Sequence, residues 1–133
     1  MDWLNFLGWD DTQIKDLRSL AYRYVEQGIY EVALTFFDAL TILAPENAYD
    51  LQMLGAIHLQ LGQGLKALDY LDRALKLDPS HQITQLNRAK TLFMLGYKRQ
   101  GLAQASELEK SPNPNIADPA KALILTHAMG TST

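Results

Sequence analysis

The side chains that could perform acid–base or metal chemistry are scattered along the sequence. The three histidines, His58, His81 and His127, are dispersed, and His58 lies on the inward face of a predicted helix, where a hydrogen-bonded core histidine is expected. The paired acids Asp10 and Asp11 are better suited to capping a helix than to proton transfer. The chain has no cysteine, which removes thiolate nucleophiles, disulfides and cysteine-based zinc sites. We therefore expect a protein that is not an enzyme and has neither a metal site nor a cofactor.

Composition and charge narrow the remaining functions. The chain has 133 residues, of which 47% are hydrophobic and 20% charged, as in an ordinary soluble domain. Its net charge of −3 argues against nucleic-acid binding, which needs a basic surface. No apolar run approaches the roughly 18 residues of a membrane span, and Asp2 stands where a signal peptide carries positive charge. The expectation is a small cytoplasmic domain without direct membrane insertion.

A sequence repeat with a period of 34 residues organises the chain. Glycines recur twice at this interval, and an alanine and a proline each recur once. Three residue types that share one offset indicate a helical-repeat protein. The residues in register are Gly28, Gly62 and Gly96, then Ala33 and Ala67, then Pro45 and Pro79.

Each repeat unit is predicted to form two helices. In the second unit Leu51, Leu54 and His58 recur at steps of three and four, which places them on one helix face. Gly62 follows as a left-handed cap. A second apolar helix then continues to Asp78-Pro79, where the proline prevents further helix.

The second unit resembles a tetratricopeptide repeat, because Leu54, Gly55, Gly62, Ala67 and Pro79 match the residues of that family. The resemblance implies an all-α, right-handed helical solenoid that forms a single domain over residues 1–133. It would contain an N-terminal helix and three helix-turn-helix repeats, at about residues 14–47, 48–81 and 82–115.

The end of the chain departs from the repeat pattern. Arg88, Gly101 and Pro112 differ from the family's residues in the third repeat, so its second helix is expected to be short. Asp118-Pro119 is a favourable helix start, with an acid at the N-cap and proline in the first turn. We expect a C-terminal capping helix at about residues 118–129, followed by Gly130.

Stacked repeats place residues 34 apart side by side, so three rows on the first helices would share one surface. The first helices of a tetratricopeptide solenoid line its concave face, and the resemblance therefore implies a peptide-binding groove. Its aromatic and aliphatic character favours an extended peptide with a few apolar anchors over an acidic carboxylate clamp. Alternatively, Leu59, Leu86 and Phe93 pack between helices. The nine groove positions are Arg18, Gln52, Leu86, Tyr22, Ala56, Lys90, Val25, Leu59 and Phe93.

The N-terminal segment contains five large apolar residues within seven positions, too many to face inward from one short helix. The segment either caps the first repeat or forms a self-association surface, because exposed apolar patches mark contacts. The candidates for that surface are Trp3, Phe6, Leu7 and Trp9.

Three segments of the first repeat carry a more specific resemblance. Residues 20–22, 28–31 and 37–43 read Leu-Ala-Tyr, Gly-Ile-Tyr-Glu and Phe-Asp-Ala-Leu-Thr-Ile-Leu. These segments resemble the tetratricopeptide chaperones of bacterial type III secretion, and the similarity extends over about residues 14–105. That family has a Leu-Ala-Tyr/Phe start, a Gly-x-Tyr-Glu turn and a Phe-x-Ala-Leu-x-x-Leu helix.

This resemblance implies a cytoplasmic class II chaperone that keeps a secreted translocator subunit soluble. Tyr22, Val25, Leu59 and Phe93 would form the pocket walls, and the family's dimerisation through N-terminal helices implies a possible homodimer. One alternative is a chaperone of the needle subunit that works with a small co-chaperone. An alternative of another class is a generic tetratricopeptide scaffold that joins folded proteins.

Overall fold

The computed structural model describes residues 2–129, and this part of the chain is helical, without a β-strand. Gly130, predicted to follow the last helix, lies outside the described residues. The helices are α1 (Trp3–Leu7), α2 (Asp11–Glu26), α3 (Tyr30–Leu43), α4 (Ala48–Gln60), α5 (Gly64–Leu77), α6 (Gln82–Met94), α7 (Lys98–Leu108) and α8 (Pro114–Met129).

The middle six helices form three helix-turn-helix pairs, α2 with α3, α4 with α5 and α6 with α7. Each pair packs on the next through α3 with α4 and α5 with α6, while α1 contacts α3 and α8 contacts α6 and α7. The predicted all-α architecture of three repeats between an N-terminal and a C-terminal helix is confirmed. As expected, α7 is short, with 11 residues against 14 in both α3 and α5.

The turn inside each repeat is made by the glycine that defines the period. Gly28, Gly62 and Gly96 have φ angles of 74°, 76° and 85°, in the left-handed region that glycine adopts without steric cost. At the second turn the Gly62 amide donates to the Leu59 carbonyl at 3.0 Å, which satisfies a terminal carbonyl of α4. The repeat period therefore reflects one turn geometry used three times.

Close approach of α4 and α5 explains the small residues of the second repeat. A Cβ atom on Gly55 would lie 2.6 Å from the side chain of Leu71, and both Ala67 and Leu71 are fully buried. The third repeat uses glycine where the others have alanine, and a Cβ on Gly101 would meet the Phe93 ring at 3.0 Å. The departure at Gly101 thus makes room for the larger ring of Phe93.

The N-terminal cap of α2 is the one that the sequence predicts. The Asp10 carboxylate accepts hydrogen bonds from the amides of Thr12 at 2.9 Å and Gln13 at 3.3 Å, and the Gln13 side chain accepts from the Asp10 amide at 2.6 Å. This reciprocal capping box satisfies amides that have no partner within the helix. The function of Asp10 is structural.

The C-terminal helix begins at Pro114, four residues before the predicted start at Asp118. Asn113 caps this earlier start, since its side-chain oxygen accepts from the Asn115 amide at 3.0 Å. The added turn buries Ile116 at 3% exposure in a cluster with Leu86 and Leu108, which outweighs the missing amide donor of Pro119 inside the helix. The prediction of an Asp118-Pro119 start was therefore wrong.

Candidate peptide-binding groove

The first predicted row is mostly buried. Arg18 is partly buried and reaches α4, Gln52 is buried at 9% exposure, and Leu86 is buried at 5% in the cluster that also contains Ile116 of α8. Arg18 therefore links α2 to α4, whereas Leu86 packs against α7 and α8. Leu86 belongs to the core, and its assignment to an accessible groove is corrected.

Arg18 forms the most buried ion pair in the described part of the chain. Its Nε and Nη2 donate to the two carboxylate oxygens of Asp50 at 2.7 and 2.8 Å, and the Asp50 side chain is fully buried. The hydrogen bond with Asp50 raises the pKa of Arg18 above its ordinary value, although burial opposes this shift. The Asp50 amide also donates to the Asn47 side chain at 2.9 Å. A charge buried in this way is tolerated because its oxygens are satisfied.

The second predicted row is accessible along its length. Tyr22 is 44% exposed, Ala56 is partly buried, and Lys90 is exposed. Because the three residues stand on α2, α4 and α6, they offer an aromatic ring, a small residue and a cation on successive first helices. This row keeps the accessibility that a groove requires.

The third predicted row is divided between surface and core. Val25 and Leu59 are half-buried, whereas Phe93 is 9% exposed and stacks on His127 of α8 with ring centroids 3.9 Å apart. Phe93 also packs with Ala89 and Ala105. The packing alternative holds for Phe93, because α8 covers the third repeat, and its assignment as a groove wall is corrected.

Tyr49 is a groove residue that the sequence analysis missed. It stands in the first turn of α4, is 41% exposed and lines an open concavity of about 530 Å³ together with Tyr22. Burial is the main cause of a raised pKa for Tyr49, with a smaller contribution from Tyr22, so its phenol stays protonated and can donate a hydrogen bond. The signal was present in a fourth row, Lys15, Tyr49 and Ile83, one helical turn before the Arg18 row.

The N-terminal segment caps the first repeats and also leaves apolar side chains exposed. Leu4 and Trp9 pack against the core of the first repeats, so α1 caps the solenoid, and Trp9 is only half-exposed. Trp3, Phe6 and Leu7 are 41%, 67% and 46% exposed, and the Trp3 and Phe6 rings meet edge to face at 5.7 Å. The exposed apolar surface is therefore Trp3, Phe6 and Leu7, and Trp9 is corrected to a capping residue.

His58, a titratable group away from the groove, has structural partners. His58 is 7% exposed, its Nδ1 lies 2.6 Å from the Gln63 side-chain oxygen, and its ring stacks on Tyr70. The pKa of the nearby Asp38 is raised by burial, against the opposing effect of His58 and Lys66. His58 is thus the partnered core histidine that the sequence predicts. Residues 2–129 hold no cluster of three or more His, Asp or Glu side chains arranged for a metal ion.

His81 is exposed, and its Nδ1 lies 2.6 Å from the Thr84 hydroxyl in the first turn of α6. The contact ties His81 to the start of that helix.

None of the helices within residues 2–129 combines the length and hydrophobicity of a membrane span.

Comparisons with known proteins agree with this repeat geometry. Residues 48–81 match the family model of the tetratricopeptide repeat. Anaphase-promoting complex subunit 3 of Schizosaccharomyces pombe is 28% identical to this chain over 86 residues, which are 65% of this chain. The matched region spans only 13% of that relative's length, so the similarity concerns the repeats and not the whole protein.

Solved structures extend the likeness to nearly the whole chain. The type III secretion translocator chaperone SycD of Yersinia enterocolitica superimposes with a TM-score of 0.81 at 18% identity, covering 93% of this chain and 98% of SycD. PcrH, in a complex with the chaperone-binding region of PopD, gives a TM-score of 0.80 at 20% identity, with coverages of 92% and 96%. These likenesses show that the chain has the tetratricopeptide-repeat fold seen in these chaperones.

Proposed function

We propose that this protein is a cytoplasmic type III secretion chaperone that keeps an aggregation-prone secreted client soluble. The client is a translocator subunit, and an extended segment of it lies in the concave groove with apolar side chains as anchors. Binding alone masks these side chains, so the mechanism needs neither a cofactor nor a chemical step. Release follows when the export machinery competes for the client.

The observation that carries the proposal is the accessible aromatic surface of the first two repeats. Tyr22 and Tyr49 each expose about two-fifths of their surface beside one concavity, and half-buried Val25 and Leu59 extend the apolar surface. Aromatic rings supply large contact areas at a small cost in side-chain entropy. The end-to-end likeness to SycD and PcrH supports the same reading, since PcrH was solved with a segment of PopD bound.

A homodimer through α1 is the second part of the proposal. Trp3, Phe6 and Leu7 expose apolar surface on a helix that already caps the fold, so a second copy could cover them without disturbing the core. At roughly 25 cal/mol per Å² of apolar area, two copies of these side chains would contribute several kcal/mol to association. A small co-chaperone is the alternative occupant of this surface.

Two other functions remain to be distinguished by experiment. A needle-subunit chaperone would use the same groove for the apolar face of a helix. A generic scaffold is the alternative of another class, because the repeats also resemble part of a subunit of the anaphase-promoting complex and the fold alone does not fix the function.

Co-purification from cells of the natural source tests the proposal. The tagged chain should retain a secreted subunit that aggregates when expressed alone and stays soluble when co-expressed. A translocator or a needle subunit selects between the two chaperone forms. Partners that are folded and soluble without this chain would replace the chaperone proposal with the scaffold.

A further inference from the structure

The end of the groove formed by the first repeat has a chemical character different from the rest. Its concavity of about 530 Å³ is lined on one side by α2 and on the other by the start of α4. The lining side chains are three cations, two phenols and one hydroxyl, all of which can donate hydrogen bonds. They are Lys15, Arg18, Ser19, Tyr22, Arg23 and Tyr49.

The ion pair inside this pocket leaves donors available. Arg18 donates hydrogen bonds from Nε and Nη2 to Asp50, and the two charges of this pair balance. Its Nη1 has no hydrogen bond within the described residues. Lys15 and Arg23 are exposed and form no ion pair with residues 2–129. The pocket therefore carries about two uncompensated positive charges on a protein whose net charge is −3.

None of the residues that line the pocket is acidic. Glu26 follows Tyr22 by one turn of α2 and does not line the concavity, although it contributes to the raised pKa of Tyr49. Since that pKa is raised mainly by burial, the Tyr49 phenol remains a neutral donor. Two cations, one spare guanidinium nitrogen and two phenols thus surround one space without a competing lining carboxylate.

We propose that this pocket binds an acidic side chain of the client segment, adjacent to the apolar residue that packs on the rings of Tyr22 and Tyr49. Carboxylates form their strongest hydrogen bonds with charged donors, and the phenols add neutral donors. The sequence alone favoured a few apolar anchors over an acidic carboxylate clamp, whereas the pocket adds one charge-specific position at the first-repeat end of the groove. This inference rests on the proposed function, because it specifies the client that the groove accepts.

A random dodecapeptide library displayed on phage tests the inference without knowledge of the client. Peptides selected on the wild-type protein should share Asp or Glu beside an apolar or aromatic residue. The double variant Lys15→Glu/Arg23→Glu should lose this preference, and it should bind the selected acidic peptides at least about tenfold more weakly in fluorescence polarisation, as the loss of charge-assisted contacts implies. Replacing Glu by Lys in such a peptide should restore part of the affinity for the double variant.

The matched control is Lys76→Glu/Arg99→Glu, which makes the same charge change at two exposed positions that do not line this pocket. It should retain the acidic preference. Selected peptides without a shared acidic position, or an unchanged preference in Lys15→Glu/Arg23→Glu, would overturn the inference and leave the groove intact. Failure to select any peptide would overturn both this inference and the proposed function.

Discussion

Arg18 in the first repeat holds Asp50 in the second through two hydrogen bonds of 2.7 and 2.8 Å, and the Asp50 side chain has no exposed surface. The two residues are 32 positions apart and lie on adjacent first helices. The pair therefore joins the two repeats beside the pocket that Tyr22 and Tyr49 line, since Arg18 itself lines that pocket.

Removing one partner of this pair should be costly. Arg18→Met leaves a buried carboxylate without its counter-charge, and we expect the free energy of unfolding to fall by about 3 kcal/mol. The double variant Arg18→Met/Asp50→Leu should recover most of this loss, because no charge then remains buried. Urea denaturation measures the free energy of unfolding of the single and the double variant. Arg73→Met, which breaks an exposed pair with Asp69 at 3.8 Å, is the control and should change stability by less than about 1 kcal/mol. Equal losses for Arg18→Met and Arg73→Met would contradict the argument.

The two groove tyrosines should dominate client binding. Tyr22→Ala/Tyr49→Ala removes both exposed rings, and we expect the affinity for the co-purified client to fall about 10- to 100-fold, the range of a binding hot spot. Far-UV circular dichroism should show unchanged helicity, because neither ring is a core residue. Tyr97→Ala is the matched control, since Tyr97 is 47% exposed but precedes α7 and does not line the pocket. A client that binds equally well to both variants would place the groove elsewhere.

Capping of the fold and self-association should depend on different residues of the N-terminal segment. Trp3→Ser/Phe6→Ser/Leu7→Ser removes the exposed apolar side chains, and we expect a monomer in sedimentation analysis with almost unchanged thermal stability. Trp9→Ala should instead keep the oligomeric state and lower the free energy of unfolding by about 2 kcal/mol, because Trp9 packs on the core. If the triple variant retained the wild-type mass, the exposed surface would not be the dimer contact.

Asp38 should make a small pH-dependent contribution to stability. Burial raises its pKa in the folded chain, and His58 and Lys66 oppose the shift. The carboxyl therefore binds its proton more tightly when the chain is folded, so its stabilising contribution is present below the ordinary pKa and is lost as the pH rises through the raised value. Asp38→Asn should be slightly more stable than wild type at pH 7, by well under about 1 kcal/mol because solvent screens this group.

Urea unfolding at pH 7 and at successively lower pH values measures this difference. The gain of Asp38→Asn should shrink as the pH falls through the raised pKa of Asp38. Glu107→Gln, at an exposed position, is the control for the general effect of losing one negative charge. If the stability gained by Asp38→Asn did not change with pH, the ionisation of the Asp38 carboxyl would not be its cause.

Local rules were sufficient to predict the repeats from the sequence. Gly28, Gly62 and Gly96 each occupy a left-handed turn, and their 34-residue spacing reveals the repeat period. The spacing also brings α2 and α4 side by side, as the contact of Arg18 with Asp50 shows. Periodicity carries this information because each repeat contacts mainly its neighbours.

The incorrect site assignments depended on contacts between distant parts of the chain. Phe93 resembles its half-buried counterparts Val25 and Leu59 until α8 covers it, and Leu86 is buried against Ile116 of the same helix. Asn113-Pro114 and Asp118-Pro119 give the same helix-start signal, and only the burial of Ile116 decides between them. Tertiary packing thus selects among alternatives that are locally equivalent.

The position of α8 also sets the length of peptide that this protein can hold. By burying Leu86 and Phe93 it closes the third repeat, so the accessible surface runs from α2 across α4 to Lys90 on α6. The groove therefore ends at the third first helix, and an extended client segment advances about 3.3 Å per residue along it. Peptides trimmed progressively from the end that lies beyond α6 should retain full affinity, and the rest of the client should remain free for other contacts.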